Sequence, residues 1–218
     1  MQNTSKKTLD MVQLALFAAI IVLLAVVPFM GFIPVGPIRA TTLHIPVIIG
    51  SIILGPKKGA VLGFLFGLIS MLNSTFNPTA ASFVFTPFYK VGDFGGSPLS
   101  LIIAFVPRIL VGIVPYYVYR GLKKLFKKTN TAADVFAMAI AGIAGSLTNT
   151  VLVMNLIYLF FGESYAQVKG VDFSVFYTTV ILYTICVNGI VEAIVASLLS
   201  TAIGQALMKV TGRKIKRV

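Results

Sequence analysis

Charge is scarce in this chain. Aspartate and glutamate number six, lysine and arginine 18, and together they make up 11% of 218 residues. A soluble domain carries roughly 25%, so most of this chain's surface faces something other than water. Tryptophan is absent, and histidine and cysteine occur once each. A single cysteine excludes a disulfide framework within the chain, and Cys186, inside an apolar run, reads as a small packing residue. No Cys/His cluster has metal-ligand spacing, so no metal or cofactor is implied. There is no G-x-x-x-x-G-K-[ST] phosphate loop, no H-E-x-x-H and no G-x-S-x-G. ATP hydrolysis through that loop, zinc-dependent hydrolysis and a nucleophile elbow are therefore excluded. The acids Asp134 and Glu192 lie too far apart in depth to act as a carboxylate pair.

What is there is hydrocarbon. Apolar residues are 57% of the chain and the mean hydropathy is +0.96. Only helices or closed barrels satisfy their backbone in lipid, and long runs that do not alternate are helical. Six helices are expected, at about 9–29, 43–55, 59–73, 99–121, 134–161 and 175–208. The second and third are short and joined by Gly55-Pro56-Lys57-Lys58-Gly59, so length alone would allow a re-entrant hairpin. The first run follows Lys6 and Lys7 but is too long for a signal-peptide core and lacks a small-x-small cleavage site, so it is read as a helix.

The net charge of +12 sets orientation rather than marking a nucleic-acid surface, because the basic residues sit in short runs between apolar stretches. With six spans the cytoplasmic segments collect Lys6, Lys7, Lys57, Lys58, Arg120, Lys123, Lys124, Lys127, Lys128, Lys209, Arg213, Lys214, Lys216 and Arg217. The outer segments hold only Arg39, Lys90 and Lys169, and Arg108 is intramembrane. Retention of Lys and Arg on the cytoplasmic side then gives six crossings with both ends inside. A re-entrant second hairpin would put Lys57 and Lys58 outside.

Buried polar groups mark the candidate site. Arg108 lies nine residues into the fourth helix, Asn149 and Asn155 in the fifth, and Asn188 and Glu192 four apart on one face of the sixth. His44 begins the second helix near the outer surface, where a helix-start role competes with ligand contact. At 1.5 Å per residue, Arg108 is roughly 14 Å and Asn188 roughly 20 Å below the outer ends of their helices. A charge at that depth normally faces the bundle interior with a partner. Arg108 therefore either pairs with Glu192 as a lock between helices or holds an anionic substrate, with the asparagines supplying hydrogen bonds. The outer stretch Ser74–Pro98, rich in aromatics and glycine, reads as an interface belt or a lid. Gly59, Gly63 and Gly67 form one small-residue face, and Ala15 and Ala19 another, either internal or facing a partner.

These features together resemble a known family. They are six helices, Ala15-x-x-x-Ala19, a proline-rich first outer loop, and Leu43-His44-Ile45-Pro46-Val47-Ile48-Ile49-Gly50 leading to Leu54-Gly55-Pro56. Pro107-Arg108-Ile109-Leu110-Val111-Gly112, Asn149-Thr150-Val151-Leu152 and Val187-Asn188-Gly189-Ile190-Val191-Glu192-Ala193 complete the pattern. Nearly the whole chain is similar to the substrate-capturing S component of energy-coupling factor vitamin transporters. The resemblance implies an all-α, multi-pass protein of a prokaryotic cell membrane with the S-component fold. It would bind a vitamin from outside, dock through Ala15 and Ala19 on a membrane coupling subunit driven by two cytoplasmic ATPases, and topple to release it. Arg108, Asn149, Asn188 and Glu192 look most like the pantothenate-type branch, where a guanidinium would fork a carboxylate. Pyridoxine or hydroxymethylpyrimidine, riboflavin and folate types share the fold and stay open. An autonomous carrier or channel is the reading from another class, but it would need more intramembrane acids or broken helices. An intramembrane enzyme lacks a nucleophile–base pair.

Overall fold

Helix α1 (Gln2–Val26) runs up one side of the molecule and is followed by an antiparallel hairpin of β1 (Phe32–Val35) and β2 (Ile38–Thr41). The chain returns through α2 (His44–Leu54) and leaves through α3 (Pro56–Phe76). The computed structural model describes residues 2–27, 30–35, 38–126 and 131–211. Pro28 and Phe29 at the expected end of the first helix lie outside the described residues. So do Lys127, Lys128, Arg213, Lys214, Lys216 and Arg217 of the charge argument.

Gly55 makes the α2–α3 corner because its φ of 92° suits a residue without Cβ, and Pro56 then starts α3 where its missing N–H costs nothing. Beyond α3 a 3₁₀ turn (Ser82–Val84) and a two-residue hairpin, β3 (Lys90–Val91) with β4 (Phe94–Gly95), lead into α4 (Leu99–Val111). Helix α5 (Val114–Leu125) continues α4 past a break at Gly112 and Ile113, again with a proline, Pro115, in its first turn. Helix α6 (Thr131–Lys169) is 39 residues long and kinks at Phe161, whose φ and ψ of −135° and 18° are not helical. A short α7 (Phe173–Phe176) and a π-helical turn (Tyr177–Leu182) feed α8 (Tyr183–Thr211).

Among the described residues five helical stretches are long and apolar enough to cross a membrane: Lys7–Val26, Pro56–Phe76, Leu99–Leu125, Thr131–Lys169 and Phe173–Lys209. The expected third helix, short in the sequence reading, has 21 residues because its polar ends, Pro56–Lys58 and Ser74–Phe76, are helical too. Helix α2 has 11 residues, about 16 Å, half the thickness of a hydrocarbon core. It is buried from His44 to Ile52, so protein rather than lipid surrounds it.

Packing follows residue size. Helices α3 and α4 approach closely because Gly59, Gly63 and Gly67 each face α4–α5 backbone, at Gly112, Arg108 and Ala104. A Cβ at any of them would fall on a carbonyl oxygen. The glycine face therefore serves internal packing. Two apolar clusters divide the interior. One joins Phe17, Ile48, Ile52, Leu62, Tyr119 and Met138, the other Phe83, Ile103, Ile157, Phe161, Tyr165 and Phe176. Cys186 departs from the expected packing role: its side chain is exposed on α8. The long loop before α4 is neither a loose belt nor all lid. Phe83, Val84 and Thr86 are fully buried, while Phe88 is three-quarters exposed.

Candidate functional site

A cavity of about 550 Å³ lies within the bundle. Its walls come from α3, α4, α6, the π-helical turn, α8, Thr41 of β2 and the loop before α4. Four of the six expected site residues, Arg108, Asn149, Asn188 and Glu192, line it, and each is at most 8% exposed.

Arg108 is brought to the cavity by α4 and held there without an acid. Its Nη1 donates to the Ile103 carbonyl at 2.6 Å and Nη2 to Ser70 Oγ at 3.4 Å. The guanidinium carbon stands 5.5 Å from the Phe66 ring centre and 5.2 Å from that of Phe85. Each aromatic face stabilises a desolvated cation by about 2 kcal/mol or more. Neither replaces a counter-ion, and Nε has no partner. Burying a charge with so little compensation is costly unless something else arrives.

Glu192 is held by different elements. One oxygen, Oε1, accepts the Thr41 N–H at 2.9 Å, and Oε2 accepts the Thr150 hydroxyl at 2.8 Å. Among the described residues the ion pairs are Lys58–Asp10 and Lys123–Asp134, both 2.6 Å, so Arg108 and Glu192 share a cavity without the ion pair that the lock, one of the two readings, requires. The reason is position. Arg108 turns toward α3 and the loop before α4, whereas Glu192 turns toward α6 and the end of the β-hairpin. Asn149 adds a buried Oδ1 with no partner.

The cavity thus holds a buried guanidinium that, among the described residues, is in no ion pair, with asparagine, threonine and glutamate side chains in the same, mostly apolar wall. The family model for "ECF transporter, substrate-specific component" matches residues 9–204. The chain belongs to that energy-coupling factor family. Among its relatives is the pantothenic acid transporter PanT of Lactococcus lactis subsp. cremoris, 42% identical over 205 residues covering 93% of this chain and 95% of that protein. The pantothenate transporter PanT of Leuconostoc mesenteroides is 27% identical over 215 residues, covering 96% and 97%. This substrate-specific component is thus a multi-pass protein of the bacterial plasma membrane, in a transporter family and not an enzyme family.

Two expected residues of the substrate-specific component stand apart from the cavity. Asn155 is half-buried away from it, donating to the Val151 carbonyl at 2.7 Å and accepting from the Tyr177 hydroxyl at 3.3 Å. His44 starts α2, as one of its two expected roles had it, but it is 1% exposed, with both ring nitrogens unpartnered, and does not line the cavity. Conversely, Thr41, Phe66, Ser70, Phe85 and Thr150 hold the charged groups, and sequence reasoning had not singled them out for this. Thr150 adjoins Asn149, and Phe85 belongs to the aromatic loop, so each carried a partial signal. Ala15 and Ala19 are exposed on the face of α1 turned away from α2 and α3, together with Met11, Val12, Leu16 and Leu23.

Proposed function

We propose that this substrate-specific component captures pantothenate from outside the cell, with Arg108 holding its carboxylate. The observation that carries the reading is the buried guanidinium, whose Nε has no partner and which, among the described residues, is in no ion pair. A carboxylate supplies what Arg108 lacks, two acceptor oxygens and a negative charge. The names of two relatives, each aligned along nearly its whole length, point to the same vitamin. Asn149, Asn188 and Glu192 complete the proposed site, and Asn155 and His44 leave it.

Delivery rests on partners. The exposed face around Ala15 and Ala19 would dock on a membrane coupling subunit, and two cytoplasmic ATPases would drive the toppling that turns the cavity inward. The chain would cross the membrane six times with both ends inside, α2 and the preceding hairpin together forming the second crossing. The bond from Lys58 to Asp10 supports this, because it ties the α2–α3 corner to the start of the apolar span of α1, which opens at Lys7. Purified protein in detergent, titrated by calorimetry with pantothenate and with its alcohol analogue, tests the substrate. Tight binding of the acid and none of the alcohol is expected. Equal affinities would remove Arg108 from the site, and no binding of either would end the pantothenate reading.

A further inference from the structure

Three charged side chains line the cavity, Arg108, Glu192 and Lys169, and the first two define two different half-sites. The half around Arg108 donates: its neighbours are a carbonyl, a hydroxyl and two aromatic faces, and Nε still has a hydrogen to give. The half around Glu192 accepts. Each Glu192 oxygen takes one protein hydrogen bond, from Thr41 or Thr150, and keeps a second lone pair. Asn149 Oδ1, on the helical turn beside Thr150, is buried and takes none. A ligand filling both halves must therefore carry an anion at one end and hydrogen-bond donors at the other.

We propose that Glu192 reads the hydroxyl end of the substrate and excludes ligands that carry a second negative charge there. This rests on the pantothenate reading above. Pantothenate has a carboxylate at one end and hydroxyls at the other, so it satisfies both halves in one orientation only. Phosphorylating its terminal hydroxyl replaces a donor with acceptor oxygens and adds a charge of about −1.5 to −2. That group would meet a carboxylate that is in no ion pair, since Arg108 is bonded to Ile103 and Ser70, and Lys169 sits over the Tyr165 ring, 19 residues along α6 from Thr150. The carrier thereby takes the free vitamin and refuses its phosphate ester. Thr41 and Thr150 act as positioning residues, fixing the carboxylate so that its free lone pairs face the cavity.

Competition binding with pantothenate, its terminal phosphate ester and its terminal O-methyl ether tests this. Sites built around a buried hydrogen bond reject analogues lacking it strongly, so the ester should bind wild-type protein at least ~1,000-fold more weakly than pantothenate. Glu192→Gln removes the charge and adds a donor, and should shrink that ratio at least ~30-fold. An ester that rivals pantothenate on wild type, or a ratio unchanged in Glu192→Gln, overturns the proposal. Should Glu192→Gln not fold, the ether decides on wild-type protein, because it removes the donor without adding charge. A loss of ~10-fold or more is expected, and full affinity for the ether overturns the proposal. Wild-type protein that binds pantothenate but shows either overturning result sinks only this inference. Failure to bind pantothenate at all sinks both.

Discussion

Arg108 is the residue on which capture and stability oppose each other. Folding places its guanidinium among Phe66, Phe85, Ser70 and a carbonyl, in no ion pair among the described residues. Arg108→Ala should therefore cost affinity without costing stability. A charge-assisted hydrogen bond contributes about 1.5–3 kcal/mol, so pantothenate binding should weaken by at least ~10–100-fold, read by calorimetry. The melting temperature of the ligand-free variant should hold or rise, since an uncompensated buried charge has gone. A sharp fall in melting temperature would mean that Arg108 is a structural lock after all. Thr150→Val tests the other half-site: Glu192 Oε2 loses its donor, and affinity should fall while the helix, which favours no hydroxyl here, stays folded. Unchanged affinity would detach Glu192 from the ligand. Much of this was legible in the sequence, because ionisable residues are rare in the apolar runs and each one stands out. Asn155 shows where the reading failed for a physical reason. Six residues after Asn149, at about 100° each, it lies about 240° round the helix and must face elsewhere. Burial of His44 was not legible, since neither its depth nor the fold-back of the chain before it is a local property.

At the scale of the helix, the close contact of α3 with α4 positions both Ser70 and Arg108. Gly63 faces the Arg108 carbonyl itself. Gly63→Ala should push α4 outward and destabilise the protein by about 1–3 kcal/mol, the usual cost of overpacking, and weaken binding with it. Gly121 in α5 has nothing within 4 Å of a Cβ and serves as the control. Gly121→Ala should be neutral or stabilise by about 0.5–1 kcal/mol, because alanine orders a helix at lower entropic cost. Thermal unfolding of the two variants side by side separates crowding from helix propensity, and an equal response would remove the close approach as the cause. The glycine spacing was readable as a face, but its partner was not. Four-residue spacing says that a surface is smooth, and only the tertiary arrangement says what lies on it.

For the molecule as a whole the open question is how often the chain crosses the bilayer. Five stretches satisfy the length requirement, and α2 does not. Five crossings would leave the two ends on opposite sides, six on the same side. The charge pattern and the Lys58–Asp10 bond favour six, because α1 rises from the level of Asp10 and the chain is back at that level by Lys58. A buried 11-residue helix can complete a crossing where protein, not lipid, surrounds its ends. Single cysteines on a Cys186→Ser background decide it by labelling intact cells with a reagent that cannot cross the membrane. Lys7→Cys, Lys124→Cys and Lys209→Cys should stay unlabelled until the membrane is permeabilised, whereas Asp93→Cys and Asp172→Cys should label at once. Labelling at position 209 but not at position 7 in intact cells would put the ends on opposite sides and exclude the second crossing through α2. The same cells carry the docking test. With the ends inside and α1 exposed to the bilayer, Ala15→Trp with Ala19→Trp should abolish uptake and co-purification of the coupling subunit while calorimetric affinity stays unchanged. Lost affinity would instead place that face inside the fold. Capture would then not be separable from coupling.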